Sequence, residues 1–279
     1  MSKELHCANK VLNLSSPQVM GILNVTPDSF SDGGQFATVQ SAIKQTQTML
    51  EQGAAIIDVG GESTRPGAAE VSVNEELDRV IPVIEKIASE FDTIISIDTS
   101  KSEVIREATK AGAGFINDVN ALQTEGALLA AQESKLPICL MHMQGVPRTM
   151  QTHPEYTNVT DDVIDFLKQR VNACIDAGIS NNKLLIDPGF GFGKTLNHNL
   201  QLMHDLVKFK NIDCPLLVGV SRKSMIGQML DVEVDDRVMG SVALETLAVW
   251  QGANIIRAHD VKPAVEAIKV AIAVKSATL

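Results

Sequence analysis

The sequence lacks any apolar run long enough to cross a membrane, and its apolar stretches, such as residues 215–220, have the length of single strands. The first ten residues contain two lysines with no apolar stretch behind them, so no secretory signal is visible. Aromatic residues make up only 4% of the 279 residues, which leaves few surfaces for stacking nucleic-acid bases. We therefore expect a soluble, cytoplasmic protein that binds neither membranes nor nucleic acid.

Cysteine is scarce as well. The four cysteines, Cys7, Cys139, Cys174 and Cys214, lie far apart in the sequence. Neither a zinc site nor a redox motif has such spacing. We expect reduced thiols that only fill space in the core.

Positive charge is also in deficit, since 24 Lys and Arg against 34 Asp and Glu give a formal net charge of −10. Arg222-Lys223 is the one adjacent pair of basic residues. The overall field of such a protein repels anions. An anionic substrate must therefore be held by a few well-placed cations.

The chain does contain a regular alternation of short apolar runs and segments with helical apolar spacing, which is typical of repeated βαβ units. The eight apolar runs are residues 19–25, 55–60, 94–97, 114–117, 137–141, 184–186, 216–220 and 254–258. Ala-Gly pairs such as Ala111-Gly112 and Ala177-Gly178, and Gly252 later in the chain, are typical of helix ends between these runs. The pattern predicts an α/β fold, a single (β/α)8 TIM barrel over residues 1–279, with an open doubly wound sheet as the alternative.

Every predicted strand is followed by polar residues. They are Asn24, Glu62 to Arg65, Asp98, Asn117-Asp118, His142, Asp187, Ser221 to Lys223, and Arg257 with His259. In a TIM barrel the C-terminal ends of all strands open into one mouth, where the active site lies. We therefore expect these side chains to meet there.

Each of these residues also has an ordinary structural explanation. Asp98 and Asp187 fit helix N-caps, and Asn24 and Asn117 fit turns. The basic residues fit a solvated surface. Their position directly after separate strands favours the shared site over these alternatives.

Arg257 and His259 are one residue apart in an extended segment, so their side chains point to the same side. A guanidinium and an imidazole so placed suit an anion. The acids lie on separate strands without the spacing of a zinc site. A Mg²⁺ ion brought in on a phosphate and held by an oxygen such as that of Asn24 remains compatible with the pattern.

Several motifs together resemble those of the dihydropteroate synthases. Residues 20–34 (MGILNVTPDSFSDGG) and 60–68 (GGESTRPGA) resemble the two signatures of that family. Further matching segments follow in the family's order, at residues 97–99, 116–118, 142–145, 187–194, 221–224 and 257–259. The resemblance extends from about Val19 to His259, with no departure at the motif positions.

The resemblance implies a cytoplasmic enzyme of folate biosynthesis that joins 4-aminobenzoate to 6-hydroxymethyl-7,8-dihydropterin diphosphate and releases diphosphate. It further implies a Mg²⁺-dependent homodimer that sulfonamides inhibit by imitating the aminobenzoate.

The chemistry of that reaction divides the candidate residues by task. The residues expected to read the flat pterin are Asp98, Asn117, Asp187 and Lys223, with Met141 as a further contact. Those expected to hold the leaving diphosphate are Thr64, Arg65, Arg257 and His259, with Mg²⁺ at Asn24. The expected contacts of the aminobenzoate are Phe30, Pro66 and Ser224. Phe190 and Phe192 fit either the core or the site, and Phe192 is included among the substrate contacts.

The expected mechanism is a dissociative displacement in which the carboxylate of Asp98 stabilises a delocalised pterin cation. The residues expected to act in catalysis are Asp98, Arg65, Lys223, Arg257 and His259. The loops at 26–35 and 63–68 are expected to close over this cation and exclude water.

Three other functions remain open at this point. A pterin-binding barrel of the methyltetrahydrofolate methyltransferase type would share the acids and amides but would not need Arg257 and His259 for diphosphate. A non-catalytic pterin-binding protein would keep the pocket alone. A sugar-phosphate barrel would not need Asp98, Asn117 and Asp187.

Overall fold

The computed structural model describes residues 4–26, 34–63, 67–68, 70–146 and 148–277, with only the backbone of residues 34–37. The strands in these ranges are β1 (Glu4–Cys7), β2 (Lys10–Asn13), β3 (Gln18–Asn24), β4 (Ile56–Gly60), β5 (Ile94–Asp98), β6 (Phe115–Asp118), β7 (Ile138–Met141), β8 (Leu184–Asp187), β9 (Leu217–Val218) and β10 (Ile255–Ala258). The helices are α1 (Gly34–Glu51), α2 (Val73–Glu90), α3 (Ser102–Ala111), α4 (Ala127–Ser134), α5 (Val159–Asp176), α6 (Leu196–His204), α7 (Ser224–Leu230), α8 (Val238–Gln251) and α9 (Val261–Lys275). Short 3-10 turns occur at Asn181–Lys183, Leu206–Ile212 and Val234–Arg237.

Strands β3 to β10 form one parallel sheet of eight strands in the order β8-β7-β6-β5-β4-β3-β10-β9. A parallel bridge between Ile186 and Leu216 joins its two edges. The sheet is therefore closed, and the predicted (β/α)8 TIM barrel is confirmed, whereas the open doubly wound sheet is wrong. Each of the eight predicted runs overlaps one of these strands, with bounds that differ by one residue or two.

The side chains of the barrel strands alternate between two apolar layers, as the two-residue period of a strand requires. Outward residues such as Ile57, Ile95 and Ile256 pack against the helices. Inward residues form a second cluster at the N-terminal end of the barrel, made of Met20, Ile56, Ile94, Phe115, Cys139, Leu185, Leu217 and Ile255. This cluster fills the lower part of the barrel.

An N-terminal hairpin of β1 and β2, which the sequence reading missed, closes the lower end. Its two strands pair antiparallel from Glu4 with Asn13 to Cys7 with Lys10. Four buried apolar residues from this segment, Leu5, Cys7, Leu12 and Leu14, pack onto the lower cluster. Because this end is plugged, the mouth at the C-terminal ends of the strands is the end left for a ligand.

The helix ends agree with the predicted caps. Gly112 and Gly252 adopt the left-handed conformation, with φ of 118° and 114°, directly after α3 and α8. The N-cap explanation of Asp98 and Asp187 is wrong, because α3 begins only at Ser102 and the cap of α6 is Thr195. The carboxyl groups of Asp98 and Asp187 therefore do not cap these helices, which favours the prediction that they belong to the site.

All four cysteines are buried and unpaired, as predicted. Burial raises the pKa of the Cys174 and Cys214 thiols to about 11, so both stay protonated at neutral pH. Within the described ranges, no helix combines the length and apolar character needed to cross a membrane.

Candidate active site

The inward side chains change from apolar to polar two residues further along most strands. The inward positions above the lower cluster are Ile22, Asp58, Ser96, Asn117, Met141, Asp187, Gly219 and Arg257. The strand registers agree, since Asp58 pairs with Ser96, and Met141 pairs with Asp187. The barrel therefore carries a buried polar floor over its apolar lower part.

Arg257 lies at the centre of this floor. Its Nε donates to Asp58 Oδ2 and its Nη2 donates to Asp98 Oδ2, both at 2.6 Å. Asn117 Nδ2 donates to the same Asp58 oxygen at 3.1 Å. Burial lowers the pKa of Arg257, but the two carboxylates outweigh burial and raise it. The surface-cation explanation of Arg257 is therefore wrong.

The floor holds more carboxyl groups than cationic groups. The buried Asp58 and Asp187 and the half-buried Asp98 share it with Arg257 and Lys223. Burial raises the pKa of Asp98 to about 7, although Arg257 opposes the shift. Burial also raises the pKa of Asp187, against the opposing charge of Lys223. The carboxyl group of Asp98 is therefore poised to lose a proton when N–H donors or a positive charge arrive.

Two polar atoms of the floor are buried without a hydrogen-bond partner among the described residues. They are Asp58 Oδ1 and Ser96 Oγ, which lie on neighbouring strands at paired positions. Buried groups of this kind are rare and are commonly satisfied by a ligand or a bound water. The sequence reading missed Asp58, although a single charged residue inside the apolar run 55–60 was the signal.

Lys223 lies on the opposite side of the floor, at the start of α7. Its ammonium donates to the carbonyl oxygen of Phe190 and lies 4.6 Å from the centre of the Phe192 ring. Burial lowers the pKa of Lys223 to about 8, although the charge of Asp187 opposes this. Phe190 belongs to the outer core, whereas Phe192 contacts the lysine. The core explanation therefore holds for Phe190 only.

Three of the polar residues that follow strands do not join the floor. The carboxylate of Asp118 faces outward and accepts the N–H groups of Asn120 and Leu122, at 2.7 and 2.9 Å. His142 is buried beside Lys194. Arg222 turns away and forms a two-pronged ion pair with Asp260.

Comparisons with known proteins agree with this geometry. Residues 20–259 match the family described as pterin binding enzyme. The chain is 58% identical to the dihydropteroate synthase of Escherichia coli K12 over 266 residues, which cover 95% of this chain and 94% of that one.

The chain belongs to the dihydropteroate synthase family.

Solved structures of this family share the whole fold. The Yersinia pestis dihydropteroate synthase in a sulfonamide drug complex superposes with a TM-score of 0.94 at 55% identity, over 98% of this chain and 100% of that one. The Xanthomonas albilineans dihydropteroate synthase in complex with 7,8-dihydropteroate gives a TM-score of 0.91 at 45% identity, over 99% and 100% of the two chains. The resemblance found in the motifs is therefore confirmed.

At the rim of this synthase-family site, His259 lies above Arg257. Its Nδ1 lies 3.1 Å from Ser221 Oγ, and its backbone N–H donates to the same hydroxyl. Two nitrogens of Arg257 point down to Asp58 and Asp98, and the joint binding of one anion by Arg257 and His259 stays a prediction. The imidazole is exposed, while the guanidinium is half-buried.

Asn24 lies at the same rim as Asp98. A Cβ atom placed on Gly60 would lie 3.7 Å from both Asn24 Oδ1 and Asp98 Oδ2, so the lack of a side chain at Gly60 leaves space between the two oxygens. Within the described residues, no group of three His, Cys, Asp or Glu is arranged to hold a metal. A hard amide oxygen completed by phosphate and water oxygens fits Mg²⁺, which takes few protein ligands.

The other predicted contacts fall in two groups. Met141 is buried at the end of β7, and Ser224 is exposed at the first residue of α7. Four predicted site residues lie outside the described residues, namely Phe30, Thr64, Arg65 and Pro66. Their roles rest on the family motifs.

Proposed function

We propose that this protein condenses 6-hydroxymethyl-7,8-dihydropterin diphosphate with 4-aminobenzoate to give 7,8-dihydropteroate and diphosphate, a transferase step of folate biosynthesis. The observation that carries the proposal is the buried floor with its excess of carboxyl groups around Arg257, in a chain 58% identical to a dihydropteroate synthase. A flat heterocycle edged with N–H groups is the ligand that such acceptors match.

Four residues of the floor read the pterin ring. Asp187, with its raised pKa, accepts two adjacent N–H groups of the ring in its ionised form. Asn117 and Asp98 serve the opposite edge, and Lys223 donates to a ring carbonyl or nitrogen. A ring without the matching edge would leave these buried groups unpaired, so the site rejects it.

The leaving diphosphate requires positive charge where its negative charge grows. His259 at the rim and Arg257 below it supply part of this charge, and Thr64 and Arg65 belong to the same group by family resemblance. Asn24 would hold a Mg²⁺ ion that, when bound, neutralises charge on the phosphate oxygens.

The charge of the floor determines which bond breaks first and which bond forms afterwards. The bond between the pterin methylene carbon and the diphosphate oxygen breaks first, and its electron pair leaves with the diphosphate. The dihydropterin then carries a delocalised positive charge, which the excess carboxylate at Asp98 stabilises. The amine nitrogen of 4-aminobenzoate attacks the methylene carbon and afterwards loses a proton. An associative pattern of kinetic isotope effects would contradict this order.

The second substrate binds nearer the surface. Ser224, exposed beside Lys223, is the partner of the aminobenzoate carboxylate, and Phe30 and Pro66 are its apolar contacts by family resemblance. Sulfonamides would compete at this position, as the sulfonamide complex of the Yersinia pestis relative suggests. Inhibition that is competitive against 4-aminobenzoate tests this assignment.

One assay separates the proposal from its rivals. The protein is incubated with Mg²⁺, the pterin diphosphate and 4-aminobenzoate, and dihydropteroate is measured. We expect product from the wild type and from Lys208→Ala, an exposed control, and a loss of orders of magnitude for Lys223→Ala. Bound pterin without product would leave the binding-protein alternative, and methyl transfer from methyltetrahydrofolate would favour the other rival.

The Mg²⁺ requirement needs a separate test. Activity should vanish with a chelator and return with added Mg²⁺. Asn24→Ala should need more Mg²⁺ for half-maximal activity, while Asn9→Ala, in the exposed turn of the hairpin at the closed end, should not. An unchanged Mg²⁺ requirement in Asn24→Ala would contradict the site.

We also propose a homodimer that buries the outer faces of α8 and α9. These helices pack side by side and expose Met239, Leu247, Trp250, Val270 and Val274. Met239 is 76% exposed, and five large apolar side chains exposed on two neighbouring helices favour an interface there. The cytoplasmic location expected from the sequence stays a prediction that cell fractionation tests.

Sedimentation velocity tests the dimer. Leu247→Asp should convert the dimer into a monomer, because a charge at the centre of the face would be buried without a partner. Leu129→Asp, at an exposed position on α4, is the matched control and should stay dimeric. A wild type that sediments as a monomer at micromolar concentration would contradict the proposal.

A further inference from the structure

Lys194 is a buried lysine that the proposed reaction does not use. It follows the loop after β8, and only 3% of its surface is exposed. Its ammonium lies 2.9 Å from His142 Nδ1 and donates to the carbonyl oxygens of Gly189 and Phe192, at 2.9 and 3.0 Å. All three of its N–H groups therefore have an acceptor.

The imidazole of His142 completes this arrangement. Burial lowers the pKa of His142 to about 2, with a smaller effect of the neighbouring Lys194 charge, so the ring is neutral. Its Nδ1 then accepts from the ammonium. The ring packs edge-on against Phe166 at 4.9 Å between centroids, which fixes its orientation. The lysine thus has a rigid partner.

The loop that Lys194 holds, residues 188–193, has no space to move towards its neighbours. Gly189 has φ of 69°, and a Cβ there would lie 1.8 Å from the carbonyl oxygen of His142. Gly193 has φ of 62°, and a Cβ there would lie 2.3 Å from the carbonyl oxygen of Gln144. Tyr156 donates its hydroxyl to the carbonyl oxygen of Gly193 at 2.8 Å. The loop is therefore tied down from both sides.

This same loop provides the surroundings of Lys223. The carbonyl oxygen of Phe190 accepts from the Lys223 ammonium, and the ring of Phe192 lies under it. Gly191 lies close as well, since a Cβ there would be 3.2 Å from Lys223 Cδ. The position of the Lys223 ammonium thus depends on the backbone that Lys194 holds.

We propose that Lys194 is a positioning residue which, through residues 189–193, fixes the ammonium of Lys223 for the pterin ring. This inference rests on the proposed function, because it assumes that Lys223 reads the pterin. Burial lowers the pKa of Lys194 well below its ordinary value, although the charge of Asp187 opposes the shift, so the charged form is costly and an apolar residue of similar size would fill the space at less cost. The three directed hydrogen bonds are what an apolar residue cannot replace.

The test is a comparison of the two substrates. Lys194→Met keeps the length of the side chain and removes the three hydrogen bonds. We expect the KM for the pterin diphosphate to rise about tenfold, because the loop loses its directed hydrogen bonds to the Lys194 side chain. The KM for 4-aminobenzoate should stay within about twofold of the wild type.

Arg170→Met is the matched control, because Arg170 also donates to backbone carbonyls, those of Ala121 and Leu122. It should lower the melting temperature without raising the KM for the pterin. Tyr156→Phe keeps the ring and removes the hydrogen bond to the carbonyl oxygen of Gly193, so it should raise that KM by about two- to fivefold. This variant decides the matter if Lys194→Met does not fold.

A pterin KM within about twofold of the wild type in both Lys194→Met and Tyr156→Phe, or an equal rise of the KM for both substrates in Lys194→Met, would overturn the inference. A wild type that makes no dihydropteroate would instead overturn the proposed function. In that case the equilibrium affinity for 6-hydroxymethyl-7,8-dihydropterin tests the role of Lys194. Lys194→Met should bind this pterin about tenfold more weakly than the wild type, and Arg170→Met should bind it as tightly as the wild type.

Discussion

Replacing Asp98 with asparagine removes one negative charge from the buried floor and changes the size of the side chain little. In the wild type this carboxyl group lies 2.6 Å from Arg257, which also pairs with Asp58. One guanidinium therefore pairs with two carboxylates. Removing the carboxylate of Asp98 leaves Arg257 and Asp58 as a pair of equal and opposite charges. We expect the variant to lose at least about a hundredfold in turnover, because the pterin cation loses its stabilising charge, while the fold gains stability above neutral pH.

The magnitude follows from the pKa of Asp98, which burial raises from 3.8 to about 7. Because the folded-state pKa lies above the unfolded one, this group contributes fully to stability below pH 3.8, and the contribution is lost as the pH rises through about 7. The complete loss is about 4 kcal/mol, of which roughly 2–3 kcal/mol falls between pH 5 and pH 8. The asparagine variant has no such loss. Its stability relative to the wild type should therefore improve with pH.

Urea unfolding of both proteins at pH 5 and pH 8 measures this change. Asp165→Asn, at an exposed position of α5, is the control and should shift the stability of the protein about equally at both pH values. A variant that is less stable than the wild type by the same amount at pH 5 and pH 8 would refute the reasoning. The ion pair with Arg257 would then outweigh the excess of negative charge.

Three further results are expected. Arg257→Met should lower the free energy of unfolding by about 3–5 kcal/mol at pH 8, because two buried carboxylates lose their counter-charge. The loss of stability should be smaller at pH 5, and equal losses at the two pH values would contradict this account. The kcat/KM for the pterin diphosphate should fall as the pH rises through about 8, where Lys223 loses its proton. If Lys223→Arg is active and its kcat/KM depends on pH as in the wild type, the fall does not come from Lys223. Gly189→Ala should cost several times the stability lost in Gly178→Ala, because a Cβ would meet His142 in the first and open space in the second, as thermal unfolding will show.

The fold was predictable because its signal is repeated. Eight apolar runs separated by helical spacing leave few architectures, and each run overlaps a strand of the barrel. The N-terminal hairpin escaped prediction because its strands have four residues each and are not separated by a helix. Its role as a plug depends on contacts with Met20 and its neighbours in the lower cluster, which a linear pattern does not contain.

The site was predictable only in part. Asp98, Asp187 and Lys223 were predicted because they follow predicted strands. The same criterion also included Asp118, whose side chain faces outward. Asp58 was missed because it lies inside a strand, two residues before the end.

The pairing of Arg257 with two carboxylates depends on residues 159 and 199 positions away in the chain. Such partners become visible only when the barrel closes. The charge excess of the floor, and with it the raised pKa of Asp98, therefore could not be found from the sequence alone.

Proton exchange on pterin binding tests most directly the claim that this charged floor reads the ring. Calorimetric titration of the protein with 6-hydroxymethyl-7,8-dihydropterin, repeated in buffers of different ionisation enthalpy, gives the number of protons exchanged. We predict proton release near pH 6, because N–H donors favour the ionised carboxylate at Asp98, and proton uptake near pH 9, because Lys223 must be protonated to donate. Binding without proton exchange at either pH would contradict the account.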